Sequence, residues 1–303
     1  MTTQIGPFEL VDPLPRLRAP RMLVALQPWI DIGSVGTMTL AFLGEHFGAE
    51  ALGQLARPGR FFDFTRYRPM LSREGGQRQV TIPNCHLHYA LSEGDDARDW
   101  IFFHTLEPHA NGDEFVEGLI ELVVKLGVSE YTMIGSMYAP VPHTRRPVAS
   151  GGSSNEAIRA KLIGAGVRES TYEGPTTIMA MLGTDAAIEK IDTTTMILQL
   201  PAYAQVERDY MGLQALLEIL SDIYGLDLDL EPVREEAERQ RQALDETAQD
   251  DARLQVWLKE LEQAYDMEAR LQPDADDEEQ ESAPLSPELE KFLRDVESRW
   301  TES

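Results

Sequence analysis

Between Asp99 and Ser154 the chain reads as strand, helix and strand, with polar residues gathered where each strand ends. The apolar run Trp100-Ile-Phe-Phe-His104 breaks at Glu107-Pro108, and Gly112 to Leu126 follows with Phe115, Leu119, Leu122, Val123 and Leu126 on one helical stripe. A second apolar run, Tyr131 to Met137, empties into Ala139-Pro-Val-Pro-His143-Thr-Arg145-Arg146-Pro147. A helix between two such strands predicts a βαβ unit, because parallel neighbours need a crossover. Open α/β sheets place ligands beyond the carboxyl ends of their strands, where Glu107 and the His143 cluster fall.

The pattern recurs on both sides of this unit. Arg21 to Leu26 predicts a first strand, Gln27-Pro-Trp-Ile-Asp31-Ile-Gly33-Ser34-Val-Gly36 a glycine-bearing turn, and the residues to about Phe47 an apolar helix. Phe61 to Phe64 reads as a short strand, and Gly75-Gly76 as the tip of a hairpin leading into the alternating run Val80 to Leu91. A helix over Ser154 to Ile163 starts from a serine or asparagine cap, and Tyr172-Glu173-Gly-Pro-Thr-Thr177 introduces a helix-like segment through Leu182. Thr195 to Leu200 is apolar enough for a central strand, ends at Pro201-Ala-Tyr203, and precedes a buried helix over Tyr210 to Tyr224. The expected fold is therefore layered α/β, with a largely parallel sheet flanked by helices.

Charge divides the chain. Of the net −25 over 303 residues, Glu231 to Ser303 carries −14, from 23 acids against 9 lysines and arginines. Glu231 to Thr247 is polar on nearly every face, whereas Leu254, Trp257, Leu258, Leu261 and Tyr265 form a helical stripe that needs a surface. The expected organisation is an N-terminal extension over 1–20, an α/β domain over 21–230, a helical acidic appendage over 231–272, an acidic linker without order over 273–287, and a C-terminal helix over 288–303. Such acidity argues against general nucleic-acid binding unless a local basic patch overrides it. Met1 to Pro20 is proline-rich without a long apolar run, so neither a signal peptide nor a membrane anchor is expected, and the protein is expected in the cytoplasm.

Few reactive groups stand out. Cys85 is the single cysteine; alternation places it with Leu87 and Tyr89 on one strand face and His86 and His88 on the other. A buried structural thiol is the simpler reading, and no ligand cluster at metal spacing accompanies the histidines, so no metal is expected. Gly33, Ser34 and Gly36 resemble a phosphate loop, but the lysine of one such pattern and the third glycine of the other are missing. Gly151-Gly152-Ser153-Ser154 lacks the closing glycine of a nucleophile elbow, leaving an oxyanion or phosphate cradle at the helix that begins near Ser154. No cofactor is expected.

These landmarks together resemble the proteasome assembly chaperone family, second type, in its bacterial branch. The resemblance spans about Met22 to Leu226 and is carried by Leu106-Glu107-Pro108, Val141-Pro-His-Thr-Arg145-Arg-Pro147, Trp29-Ile-Asp31-Ile-Gly33-Ser34-Val-Gly36, Tyr172-Glu-Gly-Pro-Thr176 and Leu200-Pro-Ala-Tyr203. It implies a layout related to nucleoside phosphorylases and peptidyl-tRNA hydrolases, a homotrimer in bacterial relatives, and a proteasome-related protein partner. Archaeal members that bind the proteasome end in a hydrophobic residue, tyrosine and any residue; Trp300-Thr301-Glu302-Ser303 departs from that pattern.

The residues that could form a site are Asp31, Gly33, Ser34, Gly36, Glu107, His143, Arg145, Arg146, Ser153, Tyr172, Glu173 and Tyr203. His143 could move a proton near neutral pH, and Arg145 could clamp a carboxylate or phosphate. The competing reading pairs Arg145 with Glu107 or Glu173 while Pro140, Pro142 and Pro147 stiffen the loop. The expected function is non-catalytic protein binding or assembly. The enzymatic rival is a nucleoside-processing protein that holds an anion on Arg145 and the Ser153 loop, with Glu107 or Glu173 toward a base or ribose.

Overall fold

The computed structural model describes residues 2–94, 97–170, 172–181 and 191–270. The expected linker over 273–287, the C-terminal helix over 288–303 and the end of the segment through Leu182 lie outside the described residues. In chain order the elements are β1 (Thr2–Ile5), β2 (Phe8–Val11), β3 (Arg21–Gln27), α1 (Val35–His46), β4 (Glu50–Leu55), β5 (Met70–Glu74), β6 (Gln77–Thr81), β7 (His86–Ala90), β8 (Trp100–Leu106) and α2 (Gly112–Lys125). They continue with β9 (Glu130–Ala139), β10 (Ala149–Ser153), α3 (Glu156–Gly164), β11 (Arg168–Glu169), β12 (Asp192–Pro201), α4 (Tyr210–Tyr224), α5 (Glu231–Asp250) and α6 (Ala252–Arg270).

Ten strands form one sheet in the order β1-β2-β4-β7-β8-β3-β9-β12-β10-β11. The central four, β8, β3, β9 and β12, run parallel, while β4, β7 and β10 join antiparallel and widen the sheet on both sides. The expected parallel pairing thus belongs to the centre, where helical crossovers operate. Central β3 shows why its run is apolar throughout: Met22, Val24 and Leu26 pack with Ile101, Phe103 and the α2 stripe, whereas Leu23 and Ala25 face α1 and α4. Helices therefore cover both faces.

Three local readings differ from the structure. Residues 2–11, taken as an extension, form an edge hairpin that buries Ile5, Phe8 and Leu10; its two four-residue strands are too short to register as a periodic run. Phe61 to Phe64 is a turn rather than a strand, because Asp63 Oδ1 accepts the Thr65 amide at 2.8 Å while Phe61 and Phe62 sink into the core. The run Val80 to Leu91 is split: β5 and β6 make a separate hairpin with its tip at Gly75-Gly76, and β7 joins the large sheet. In β7 the expected alternation holds, with Leu87 buried and His86 and His88 outward, and Cys85 buried just before it.

The appendage is folded onto the body. Helix α5 packs along α4, with Val233, Ala237 and Ala248 buried. Asp251 then turns the chain, its Oδ1 accepting the Arg253 amide at 2.8 Å, and α6 returns with Leu261 buried.

Candidate functional site

The parallel strands β3, β8, β9 and β12 end on the same side, and that edge gathers Asp31, Glu107, His143 to Arg146 and Tyr203. The loop after β3 crosses the end of β9: Ser136 donates its amide to Ile30 O at 2.8 Å and its hydroxyl to Ile32 O at 2.5 Å. This crossing requires glycine at 135, where a Cβ would lie 2.2 Å from Ile30 O. Gly33, at φ +61°, likewise leaves room for Asp209, whose Cβ would stand 2.7 Å from a side chain there.

Asp31 closes the first loop from inside. Its Oδ1 accepts the Gly36 amide at 2.6 Å and the Thr37 amide at 3.2 Å, and its Oδ2 accepts the Thr37 hydroxyl at 2.5 Å and the Gln27 amide at 3.1 Å. Burial raises the Asp31 pKa, and these four donors oppose that rise. The amides at the start of α1 that a phosphate would use are therefore held by the chain's own carboxylate. Ser34 lies beside them, donating its hydroxyl to Glu207 O at 3.2 Å.

His143 is buried on the second loop. Tyr203 Oη accepts its backbone N–H at 2.7 Å and stands 2.7 Å from Nδ1, while Nε2 lies 3.2 Å from Asp245 Oδ1 on α5. Because the amide can only donate, the Tyr203 hydroxyl is free to give its own proton to Nδ1, and Nε2–H then points at Asp245. Burial lowers the His143 pKa, with Asp245 pulling it upward without cancelling the effect. The imidazole is thus a neutral, doubly anchored strut.

Arg145 and Arg146 meet the appendage. Arg145 grips Asp266 through Nε and Nη2, both at 2.9 Å, and approaches Glu262 at 3.4 Å; Thr144 donates to Glu262 Oε1 at 2.5 Å. Hydrogen bonding to Asp266 raises the Arg145 pKa and keeps its guanidinium cationic. Tyr265 caps Arg146 O at 3.1 Å, and Arg146 stands 3.6 Å from Glu218 on α4. Among the described residues the ion-pair partners of Arg145 are these α6 acids, replacing the expected Glu107 or Glu173. A cavity of about 530 Å³ remains between this loop, α4 and α5, with Arg146, Arg234 and Arg241 on its walls.

The other candidates fall elsewhere. Glu107 turns toward the 178–181 helical turn, where its Oε1 accepts the Ile178 amide at 3.0 Å and burial raises its pKa. Tyr172 and Glu173 are exposed, and the Tyr172 hydroxyl donates to Pro175 O at 3.0 Å. Ser153 is at the opposite end of the sheet: β10 runs against β12, pairing Ser153 with Thr194, and Thr194 pairs with Thr132 near the start of β9. Arg145 and Ser153 therefore do not share an anion. The cap of α3 is Asn155, which accepts the Ala157 and Ile158 amides at 3.0 and 3.1 Å. No group of three His, Cys, Asp or Glu side chains among the described residues is arranged to hold a metal ion.

Asp245, Glu262 and Asp266 were missed as site residues because they read as solvated charge. A signal existed: Asp245 falls eight residues after Ala237 and three before Ala248, on the buried stripe of α5. Glu262 and Asp266 are likewise one helical turn apart.

The model of the PAC2 family matches residues 25–248 of the 303. The chain belongs to the PAC2 family. A PAC2 family protein from Streptomyces avermitilis is similar at 25% identity, with a TM-score of 0.70 over 79% of this chain and 99% of that one. A Corynebacterium glutamicum protein of unknown function superposes with a TM-score of 0.76 at 21% identity, over 87% of this chain and 98% of its own. A proteasome-assembly chaperone homologue from Mycobacterium tuberculosis gives 0.68 at 23% identity, over 78% and 99%. No curated protein matches the chain. In this PAC2 chain the matched segment includes Asp245, the His143 partner, and ends before Glu262 and Asp266, which hold Arg145. No helix among the described residues is long and apolar enough to cross a membrane.

Proposed function

We infer that this protein works by binding other proteins, as an assembly factor with a proteasome-related partner, rather than by turnover. The observation that carries this reading is membership of the PAC2 family over residues 25–248, a family with a proteasome-assembly chaperone homologue among the chain's structural neighbours. The strand-end chemistry supports it: Asp31, His143 and Arg145 are each engaged by groups of the same chain, an arrangement suited to shaping a rigid surface. A cytoplasmic location and a homotrimer belong to the same proposal. Native purification of the untagged chain from its own cells, followed by mass spectrometry, tests it. Stoichiometric proteasome subunits or another defined protein are expected; a retained metabolite with no protein would overturn the reading.

One observation favours a second reading, in which a small anion binds. The cavity beside His143 is lined by Arg146 and Arg234, from which Glu218 lies 3.6 and 4.0 Å, beyond direct hydrogen bonding, and by Arg241, which Glu238 already holds at 2.7 Å. Under this reading Arg146→Ala abolishes nucleotide binding measured by calorimetry while the oligomeric state is kept. Equal, weak heats from both proteins would remove it.

A further inference from the structure

Three of the chain's six histidines meet on one face of the β7–β8 ladder. Strand alternation sets His86 and His88 on the same side of β7. Register adds the third, because His104 of β8 lies directly opposite His86, with Phe102 opposite His88. Directly opposed Cβ atoms stand about 4.5–5.5 Å apart, so two imidazoles placed in this way can close on one small ion between them. On the other flank of β8 the residue paired with His104 is Ala25, which offers no polar side-chain atom.

The chemistry of the pair is that of a ligand set. His104 Nε2 is buried and has no hydrogen-bond partner, whereas His86 is exposed. A buried ring nitrogen left unpaired costs free energy that a ligand returns. Burial, with His86 beside it, pushes the His104 pKa down to about 4, and burial, with His88 nearby, lowers that of His86. Both rings are therefore uncharged at neutral pH, and each keeps a nitrogen lone pair free of protons. Imidazole suits zinc, nickel and copper, while magnesium and calcium prefer oxygen. Among the described residues no three metal-ligating side chains are gathered, so two imidazoles carry the ion and water takes its remaining positions.

We propose that His86 and His104 form a chelating pair for a divalent transition-metal ion such as zinc or nickel. The pair sits on the ladder by which the antiparallel wing β1-β2-β4-β7 joins the parallel centre, so a bound ion cross-links wing and centre. This site does not depend on the identity of any protein partner.

Calorimetric titration of the metal-free full chain with zinc chloride and with nickel chloride tests the pair. Excess magnesium chloride in the buffer occupies surface carboxylates and leaves imidazoles free. One ion per chain at micromolar affinity is expected, together with a higher melting temperature. His86→Gln should weaken binding at least about 10-fold, since losing even a group that supports a metal ligand costs about 10–100-fold. His88→Gln should leave stoichiometry and affinity unchanged. Because His104→Gln can disturb the packing around it, the unsubstituted chain supplies the second measurement. In NMR the imidazole signals of His86 and His104 should shift together on adding zinc, with those of His46 and His109 unmoved. Binding lost in His88→Gln, with a His104 signal that stays in place, would assign the metal to the exposed His86–His88 pair and overturn the proposal. The absence of saturable heat at millimolar metal would overturn it as well, leaving His104 to water.

Discussion

After β3, Asp31 reaches partners no more than six residues away; after β9, His143, Thr144 and Arg145 reach partners 102, 118 and 121 residues along the chain. Both loops are polar, proline-bearing strand ends, yet the first is held by its own turn at Asp31 and by body segments at Ser136 and residues 207–209, while the second waits for α5 and α6 to fold back. A locally closed loop opens only with the unit that contains it. A remotely closed loop can open when the strap leaves, with the sheet intact. The face of the protein around His143 and Arg145 is therefore set by docking of the appendage, whereas the face around Asp31 is built into the body.

The largest test of that contrast is Asp31→Ala. It strands two backbone amides and a hydroxyl at the start of α1 and should cost about 3 kcal/mol in urea unfolding of the whole domain. A loss below about 1 kcal/mol would mean that water replaces the carboxylate. Next comes Leu261→Ala, which removes a buried anchor of α6 and should destabilise by about 2–3 kcal/mol. That loss should appear as faster amide exchange over residues 252–270, with β3 and β9 still protected; uniform acceleration would erase the distinction between body and strap.

Acidity separates the two loops by sign. Burial holds the folded His143 pKa below its ordinary 6.5, so between that lowered value and 6.5 the released residue binds more protons than the docked one. Docking therefore weakens as pH falls from neutrality, and exchange over residues 139–148, corrected for intrinsic rates, should rise at pH 5.5. Asp31 has the opposite shift: its folded pKa lies above 3.8, so the folded state binds more protons than the unfolded one and acidification does not weaken it through this group. Tightening of the His143 loop in acid would show that the Asp245 attraction dominates. The smallest effect belongs to Asp266→Ala. Its pair with Arg145 is partly exposed, so the stability change should stay within about 1 kcal/mol, with a few-fold faster opening of α6 as the readout.

Much of the fold was legible in the sequence. The α2 stripe, the central strands β3, β8, β9 and β12, and the helix Tyr210–Tyr224 were all marked by periodicity, because burial on one or both faces repeats every few residues. The outer strands β1, β2, β4 and β10 were not, since they are short and partly exposed and owe their state to neighbours already in place. Within the site, sequence placed Asp31, Glu107, His143 and Tyr203 at strand ends. It grouped Ser153 with Arg145 because strand direction, which sends β10 the other way, leaves no mark on local pattern.

By itself, then, the sequence determined a layered α/β body, its strand-end loops and its acidic tail, all properties of neighbouring residues. Tertiary structure alone decided that Asp245 meets His143, that Asp266 holds Arg145, and that the basic hairpin stands clear of the body. The physical reason is range. Periodicity records which face of an element avoids water, whereas contacts between residues a hundred apart depend on where whole elements come to rest.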